Sequence, residues 1–313
     1  MLRILRGRFD MMNGRVSNPA QLGSVRRYTL SEGKARGLDV IDCDNGRIRF
    51  LLNVSKALDV MQLYHEGQNV SFLSKNAFTA DNGTFDNRFE GGMIYTCGLD
   101  NAGRREGHVQ HGRLHTLPCE ILRAECSEQE IVVEGIVRDT ALYGQNLVLR
   151  RKYTARLGEA KLTLEDTLVN EAFLPAEYCL LYHVNLGYPL LDAGARLFFD
   201  AEAVDPCNEL ARNDLPTLCE VGAPDPAETE RCYYLSLRTP EVALCNGAQH
   251  KKFLLRYSQQ TLPRFLLWKS FVSGDYALGL EPCTSQIGSR LVMQPLAPGE
   301  QKQFRLELAI ESV

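Results

Sequence analysis

The stretch Phe304-Arg305-Leu306-Glu307-Leu308-Ala309-Ile310 sets a large apolar residue at every second position. A period of two marks a strand with one face in a core and the other towards solvent or a cleft. The same beat runs through Leu162, Leu164 and Leu168, spaced by Thr163, Glu165 and Thr167. Residues 131–137 and 147–153 are rich in β-forming side chains. Asp44-Asn45-Gly46, Asp81-Asn82-Gly83 and Asn246-Gly247 punctuate these runs. Gly and Asn accept positive φ, so such clusters mark turns. Helical periodicity is scarce, and residues 53–65 fit a short helix and a strand about equally. Many short strands with frequent turns predict an all-β sandwich or barrel, not a βαβ array. Residues 208–230, rich in Pro, Asp and Glu, read as a long strand-poor excursion. No internal repeat is present.

The chain has 313 residues, 44% hydrophobic and 24% charged, which is ordinary globular composition. All-β units often run past ~200 residues, so residues 1–313 are expected to form a single domain. Residues 1 to about 35 are expected as an N-terminal extension packed on it. The net charge of −4 argues against nucleic acid or an anionic membrane as partner. No run of 18 apolar residues occurs, and the basic start Met1 to Arg8 is not followed by an apolar signal core. The ten cysteines are scattered, with no CxxC, and their closest pair is Cys119 and Cys126. Zinc-ribbon and thioredoxin readings therefore lack their spacing. Free cysteine in apolar strands behaves as a small hydrophobe, and a reducing cytoplasm is expected.

Three places carry candidate chemistry. Glu281 ends the apolar run Tyr276-Ala277-Leu278-Gly279-Leu280 and precedes Pro282. A carboxylate there is partly desolvated, which raises its pKa and makes it a better base; a surface glutamate at a strand end is the alternative. His183 lies in Tyr182-His183-Val184-Asn185-Leu186-Gly187, where alternation puts Leu181, His183 and Asn185 on one face. Polar groups on an otherwise apolar face mark either a cleft floor or a satisfied core histidine. The stretch His108-Val109-Gln110-His111-Gly112-Arg113-Leu114-His115 holds three of the six histidines. On a strand, His111, Arg113 and His115 would share a face; a metal site is the less favoured reading. The glycine-rich segment 91–101 has no GxGxxG and no GKS/T, and the chain has no GxSxG. Paired carboxylates for glycoside hydrolysis stay open. Trp268, the only tryptophan, suits a sugar-facing platform and a core position equally.

Together, Gly91-Gly92-Met93-Ile94-Tyr95-Thr96-Cys97-Gly98-Leu99-Asp100-Asn101, His111-Gly112-Arg113, Tyr182 to Pro189, and Gly274 to Pro282 resemble the galactose mutarotase-like superfamily. These are the aldose 1-epimerases, and the likeness is to the divergent bacterial DUF4432 branch. The resemblance covers about residues 40 to 310. It implies a β-supersandwich of large antiparallel sheets with few short helices, an open cleft on one sheet, and neither cofactor nor metal. It also implies Glu281 as general base, His183 as general acid and His111 as a substrate-orienting histidine. Arg113, Asn185, Asp100, Arg88 and Trp268 are the further candidates for holding the substrate. One departure stands out: Glu90 falls where related epimerases carry an arginine, leaving Arg88 or Arg113 to substitute. The expected activity is cofactor-independent interconversion of the α and β anomers of a free sugar, by a cytoplasmic monomer or homodimer. The alternatives are a non-catalytic sugar-binding module, an epimerase of a phosphorylated or acidic sugar served by Arg88, Arg104, Arg105 and Arg113, and a metal enzyme using His108, His111 and His115.

Overall fold

A computed structural model describes residues 14–313. The expected N-terminal extension therefore lies partly outside the described residues. A small antiparallel sheet comes first: β1 (Ser24–Thr29), β2 (Asp39–Asp44), β3 (Ile48–Asn53), β4 (Asp59–His65) and β5 (Gln68–Asn69), ordered as in the chain. The Asp44-Asn45-Gly46 turn joins β2 to β3 as predicted, with Gly46 N donating to Asp44 Oδ1 at 2.8 Å. Residues 53–65 resolve as a turn followed by β4, not as a helix.

The second sheet is long and antiparallel. Its strands are β6 (Ile94–Leu99), β7 (Cys119–Cys126), β8 (Glu130–Thr140), β9 (Asn146–Arg156), β10 (Lys161–Asn170), β11 (Ala176–Leu186) and β12 (Arg196–Pro206). They continue with β13 (Arg231–Asn246), β14 (Lys251–Tyr257), β15 (Arg264–Val272), β16 (Asp275–Cys283), β17 (Gln294–Leu296) and β18 (Gln301–Ser312). The main path runs β17-β11-β16-β15-β13-β14-β18-β10-β9-β8-β7, with β6 also paired to β11 and β12 to β13. The only α-helices among the described residues are α1 (Phe85–Arg88) and α2 (Glu209–Asn213). Residues 208–230 contribute α2, a 3₁₀ turn and irregular chain. None of the described helices is long and apolar enough to cross a membrane.

Alternation places the core. The two most regular sequence runs are neighbours, β10 against β18, with Leu164 opposite Leu306 and Leu162 opposite Leu308. Their apolar faces join Ile41, Phe50 and Leu63 of the small sheet in one buried cluster. The opposite faces of β6, β11, β15 and β16 carry a second cluster: Tyr95, Cys97, Cys179, Leu181, Leu266 and Cys283, with Phe85 and Phe89 packed on it. All ten cysteines are free.

Charged groups cross the buried region as a chain. Lys56 Nζ lies 3.2 Å from Glu90 Oε2, Glu90 Oε1 3.3 Å from His115 Nε2, and His115 Nδ1 2.7 Å from Asp59 Oδ2. Arg151 then bridges Asp59 at 2.5 Å and Asp166 at 2.7 Å, and the Tyr182 hydroxyl donates to Asp166 at 2.7 Å. Burial alone would raise the pKa values of Asp59 and Glu90. Hydrogen bonds and charge from His115, with Arg151 beside Asp59 and Lys56 beside Glu90, hold both below their ordinary values. Such a chain is tolerable in a dry interior only because each charge has a partner.

Candidate active site

The register of β11 and β16 assembles the site. Leu181 pairs with Cys283 and Val184 with Leu280, which puts His183 directly across from Glu281 on one face. The Glu281 Oε1 to His183 Nε2 distance is 3.2 Å. His183 is 6% exposed and Glu281 1%. Among the described residues neither Glu281 oxygen has a hydrogen-bond donor, and His183 Nδ1 is also without a partner. Burial, and then the Glu230 carboxylate, raise the Glu281 pKa well above the usual carboxylate range. Burial, and then His111, push His183 down to about 3. Each group thus resists its own charge: burial biases the carboxyl to its protonated form and the imidazole to its neutral one.

The next row of the sheet makes room for this pair. Gly279 pairs with Asn185 on one side and Trp268 on the other. A Cβ at Gly279 would overlap Glu281 Oε1 and press on Trp268 Cβ and Cε3 at 3.1 Å. Glycine at this strand position is thus required by the carboxylate, not by its backbone angles.

His111 arrives from a loop. His111 and Gly112 have φ of 61° and 73°, two successive left-handed residues that turn the chain sharply. A side chain at Gly112 would run into the Gly98 carbonyl and sit 2.6 Å from Asn101 O, so only glycine fits. The turn sets the His111 ring 6.0 Å from that of His183 and 4.8 Å from Phe85, centroid to centroid. Burial, and then Arg88, lower the His111 pKa to about 4. The stretch is therefore not the strand considered from sequence. Leu114–Thr116 is a 3₁₀ turn, and the three histidines diverge. His115 joins the interior charge chain, His108 lines another hollow, and only His111 reaches His183.

Arg88 ends α1 and is 1% exposed. Its Nη1 donates to the Tyr95 hydroxyl at 2.7 Å and its Nη2 to the carbonyls of Gln110 at 3.3 Å and Gly112 at 3.2 Å, while Nε has no partner among the described residues. Tyr95 stacks on His115 at 3.7 Å, so the interior charge chain backs the guanidinium. Glu90, two residues on, turns to Lys56 and His115. The glutamate at the departure is thus spent on the interior, and Arg88 is the arginine beside the histidines.

The other sequence candidates are spread out. Asn185 is fully buried and donates from Nδ2 to Gly92 O at 3.0 Å and to His183 O at 2.9 Å. Arg113 is held by Asp139 at 2.8 Å, and Asp100 Oδ1 accepts from Arg113 N at 3.1 Å. Both line a separate hollow of about 440 Å³ with Arg105 and His108. Trp268 stands 5.3 Å from His183 and Phe89 5.5 Å, centroid to centroid. These two rings, with Phe72, Phe85, Asn76 and Glu230, line an open cleft of about 560 Å³. Glu230 was not singled out from sequence: Trp268 Nε1 donates to its Oε2 at 2.8 Å.

A model of DUF4432, a domain of unknown function, matches residues 35–310. No curated protein matches the chain. Among solved structures, a Klebsiella pneumoniae subsp. pneumoniae MGH 78578 protein, provisionally described as an aldose 1-epimerase, is similar over 94% of this chain and 86% of its own, with a TM-score of 0.85 and 22% identity. A galactose mutarotase-like protein from Clostridium acetobutylicum covers 94% of this chain and 100% of its own, with a TM-score of 0.72 and 13% identity. A galactose 1-epimerase from Lactobacillus acidophilus NCFM covers 92% and 99%, with a TM-score of 0.63 and 14% identity. At these identities the likeness is one of fold. With a family model spanning residues 35–310 and sheets that superpose on those structures, the chain belongs to the DUF4432 family and has the galactose mutarotase-like fold.

Proposed function

We propose that the protein interconverts the α and β anomers of a free, neutral aldose by acid–base ring opening. The observation that carries this reading is the Glu281–His183 pair, 3.2 Å apart and buried behind the Phe89 and Trp268 rings that line an aromatic cleft. The anomeric hydroxyl and the ring oxygen sit on the same carbon, so an acid and a base close together serve both. At rest the pair's proton is biased to Glu281, since burial disfavours the charge on both groups. In the reacting complex it shifts to His183, the Glu281 carboxylate takes the proton of the anomeric hydroxyl, and the His183 proton passes to the ring oxygen. The bond from the anomeric carbon to the ring oxygen breaks and leaves an aldehyde and a hydroxyl. Rotation about one carbon–carbon bond and reclosure, with the two roles exchanged, return both protons and give the other anomer. Each group is expected to contribute ~10²–10⁴-fold.

Supporting roles follow from position. In this reading His111 holds a hydroxyl beside His183, Arg88 positions the His111 loop through the Gln110 and Gly112 carbonyls, and Trp268 and Phe89 offer flat faces to the apolar side of a pyranose. The wall formed by Phe89 must yield for the sugar to touch His183. Asn185 fixes the His183 backbone. Arg113 and Asp100, in the separate hollow, are assigned no contact with the reacting carbon.

The cleft's charge favours a neutral sugar over a phosphorylated or acidic one. Its lining carries Asp86, Glu230 and Asp275, while Lys75 is held by Asp275 at 2.7 Å. The test is the rate at which a freshly dissolved α-anomer equilibrates, followed by NMR across neutral aldoses. Catalysed equilibration supports the reading. Sugar binding with no acceleration selects the non-catalytic module instead.

A further inference from the structure

Leu142 and Tyr143, in the turn between β8 and β9, are 86% and 100% exposed. Phe173 and Leu174, between β10 and β11, are 99% and 73% exposed. The two turns are tied together: Glu171 N donates to Asn146 O at 2.9 Å, and Asn146 Nδ2 to Glu171 O at 3.3 Å. Four large apolar side chains therefore stand in water at one end of the large sheet. Single exposed apolar residues are ordinary on a protein surface, but a contiguous group of this kind marks an interaction site. Beside it opens the 440 Å³ hollow, walled on its apolar side by Tyr143, Leu147, Leu174, Pro175 and Met293.

We propose that this end of the molecule is a two-fold interface with a second copy of the chain. A two-fold axis brings one patch against itself, so the patch must carry both a projection and the recess that receives it. Here they adjoin. Phe173 projects, and its chain neighbours Ala172 and Leu174 line the hollow. The charges are self-complementary as well. Asp100 and Glu177 share the hollow with Arg105, so each copy presents both signs to the other. A surface of mixed sign does not suit an anionic membrane. The two aromatics alone would bury about 300–500 Å² per copy. That is a large part of the roughly 800 Å² per partner of a stable interface.

The test is the mass of the full chain in solution, by light scattering coupled to size exclusion and by sedimentation. The wild type is expected at twice the chain mass. Leu142→Asp with Phe173→Asp is expected at the chain mass, with an unchanged circular dichroism spectrum, since both side chains lie in solvent. Phe173→Ser, a milder change at the same place, is expected to raise the dimer dissociation constant more than about tenfold. A wild-type monomer at the highest soluble concentration would overturn the proposal. So would a larger assembly, or a dimer indifferent to all three substitutions.

Discussion

Gly279→Ala adds one methyl group at the point where the site has no spare volume. Gly279 is not among the positive-φ glycines, so alanine suits its backbone, and the effect is a matter of space. The new Cβ would overlap Glu281 Oε1 and lie 3.1 Å from Trp268 Cβ and Cε3. Trp268 is fixed by its bond to Glu230 and by packing on Phe89 and His183. The Glu281 carboxyl, with no donor among the described residues, is the part that moves. Restoring van der Waals contact takes a shift of about 1 Å, and a misplacement of that size costs about 10²-fold in rate. Overpacking costs ~1–3 kcal/mol of stability, offset in part by the ~0.4–1 kcal/mol that alanine gains over glycine in the unfolded chain. The assay pairs the anomerisation rate by NMR with denaturant unfolding. The expected result is a folded, slightly less stable protein with its rate reduced about a hundredfold. A folded variant with the wild-type rate would refute the placement of Glu281 as the reacting carboxylate.

The proton balance of the pair predicts an unusual pH profile. Because His183 is held down to about 3, a second proton enters the pair only as pH falls towards that value. Because Glu281 is raised, the pair gives up its one proton at a higher pH than an ordinary carboxylate would. The value of kcat/KM should therefore show no acid-side step at the ordinary histidine value of 6.5, and its alkaline limb should lie above the ordinary carboxylate range; a drop on the acid side centred at 6.5 would contradict this. Glu230→Gln removes a negative charge that raises Glu281, so the alkaline limb should move to lower pH, and an unmoved limb would count against that coupling. Arg151→Met strips the common partner from Asp59 and Asp166 and should cost about 3–5 kcal/mol in guanidinium unfolding; a loss below about 1 kcal/mol would show that these carboxylates find other partners.

The sheets were legible because alternation is a local property of strands such as β10 and β18. His183 and Glu281 could each be placed at a strand position from sequence, and the β11–β16 register then made them neighbours. The interior charge chain was missed, although it leaves a local trace. Asp166 interrupts the series Leu162, Leu164, Leu168, and Arg151 interrupts Leu147, Leu149, Tyr153. The two interruptions are register partners, and that pairing spans strands, so no single segment reveals it. The histidine stretch misled for a related reason. His111 holds a left-handed conformation that a non-glycine residue seldom adopts, and two such residues in succession undo any strand periodicity. Glu230 escaped notice because it ends an irregular segment, where no periodicity assigns a face. Arg88 stood beside Glu90 in the sequence, and only burial separates the residue that faces His111 from the one that faces Lys56.

The most direct measurement is the anomerisation rate of Glu281→Gln, taken with its unfolding free energy. Removing a buried carboxyl that has no hydrogen-bond donor among the described residues should leave the fold at least as stable as the wild type. The same change should lower the catalysed rate by ~10²–10⁴-fold, to near the uncatalysed value. A stable Glu281→Gln protein that still equilibrates anomers at the wild-type rate would contradict the account.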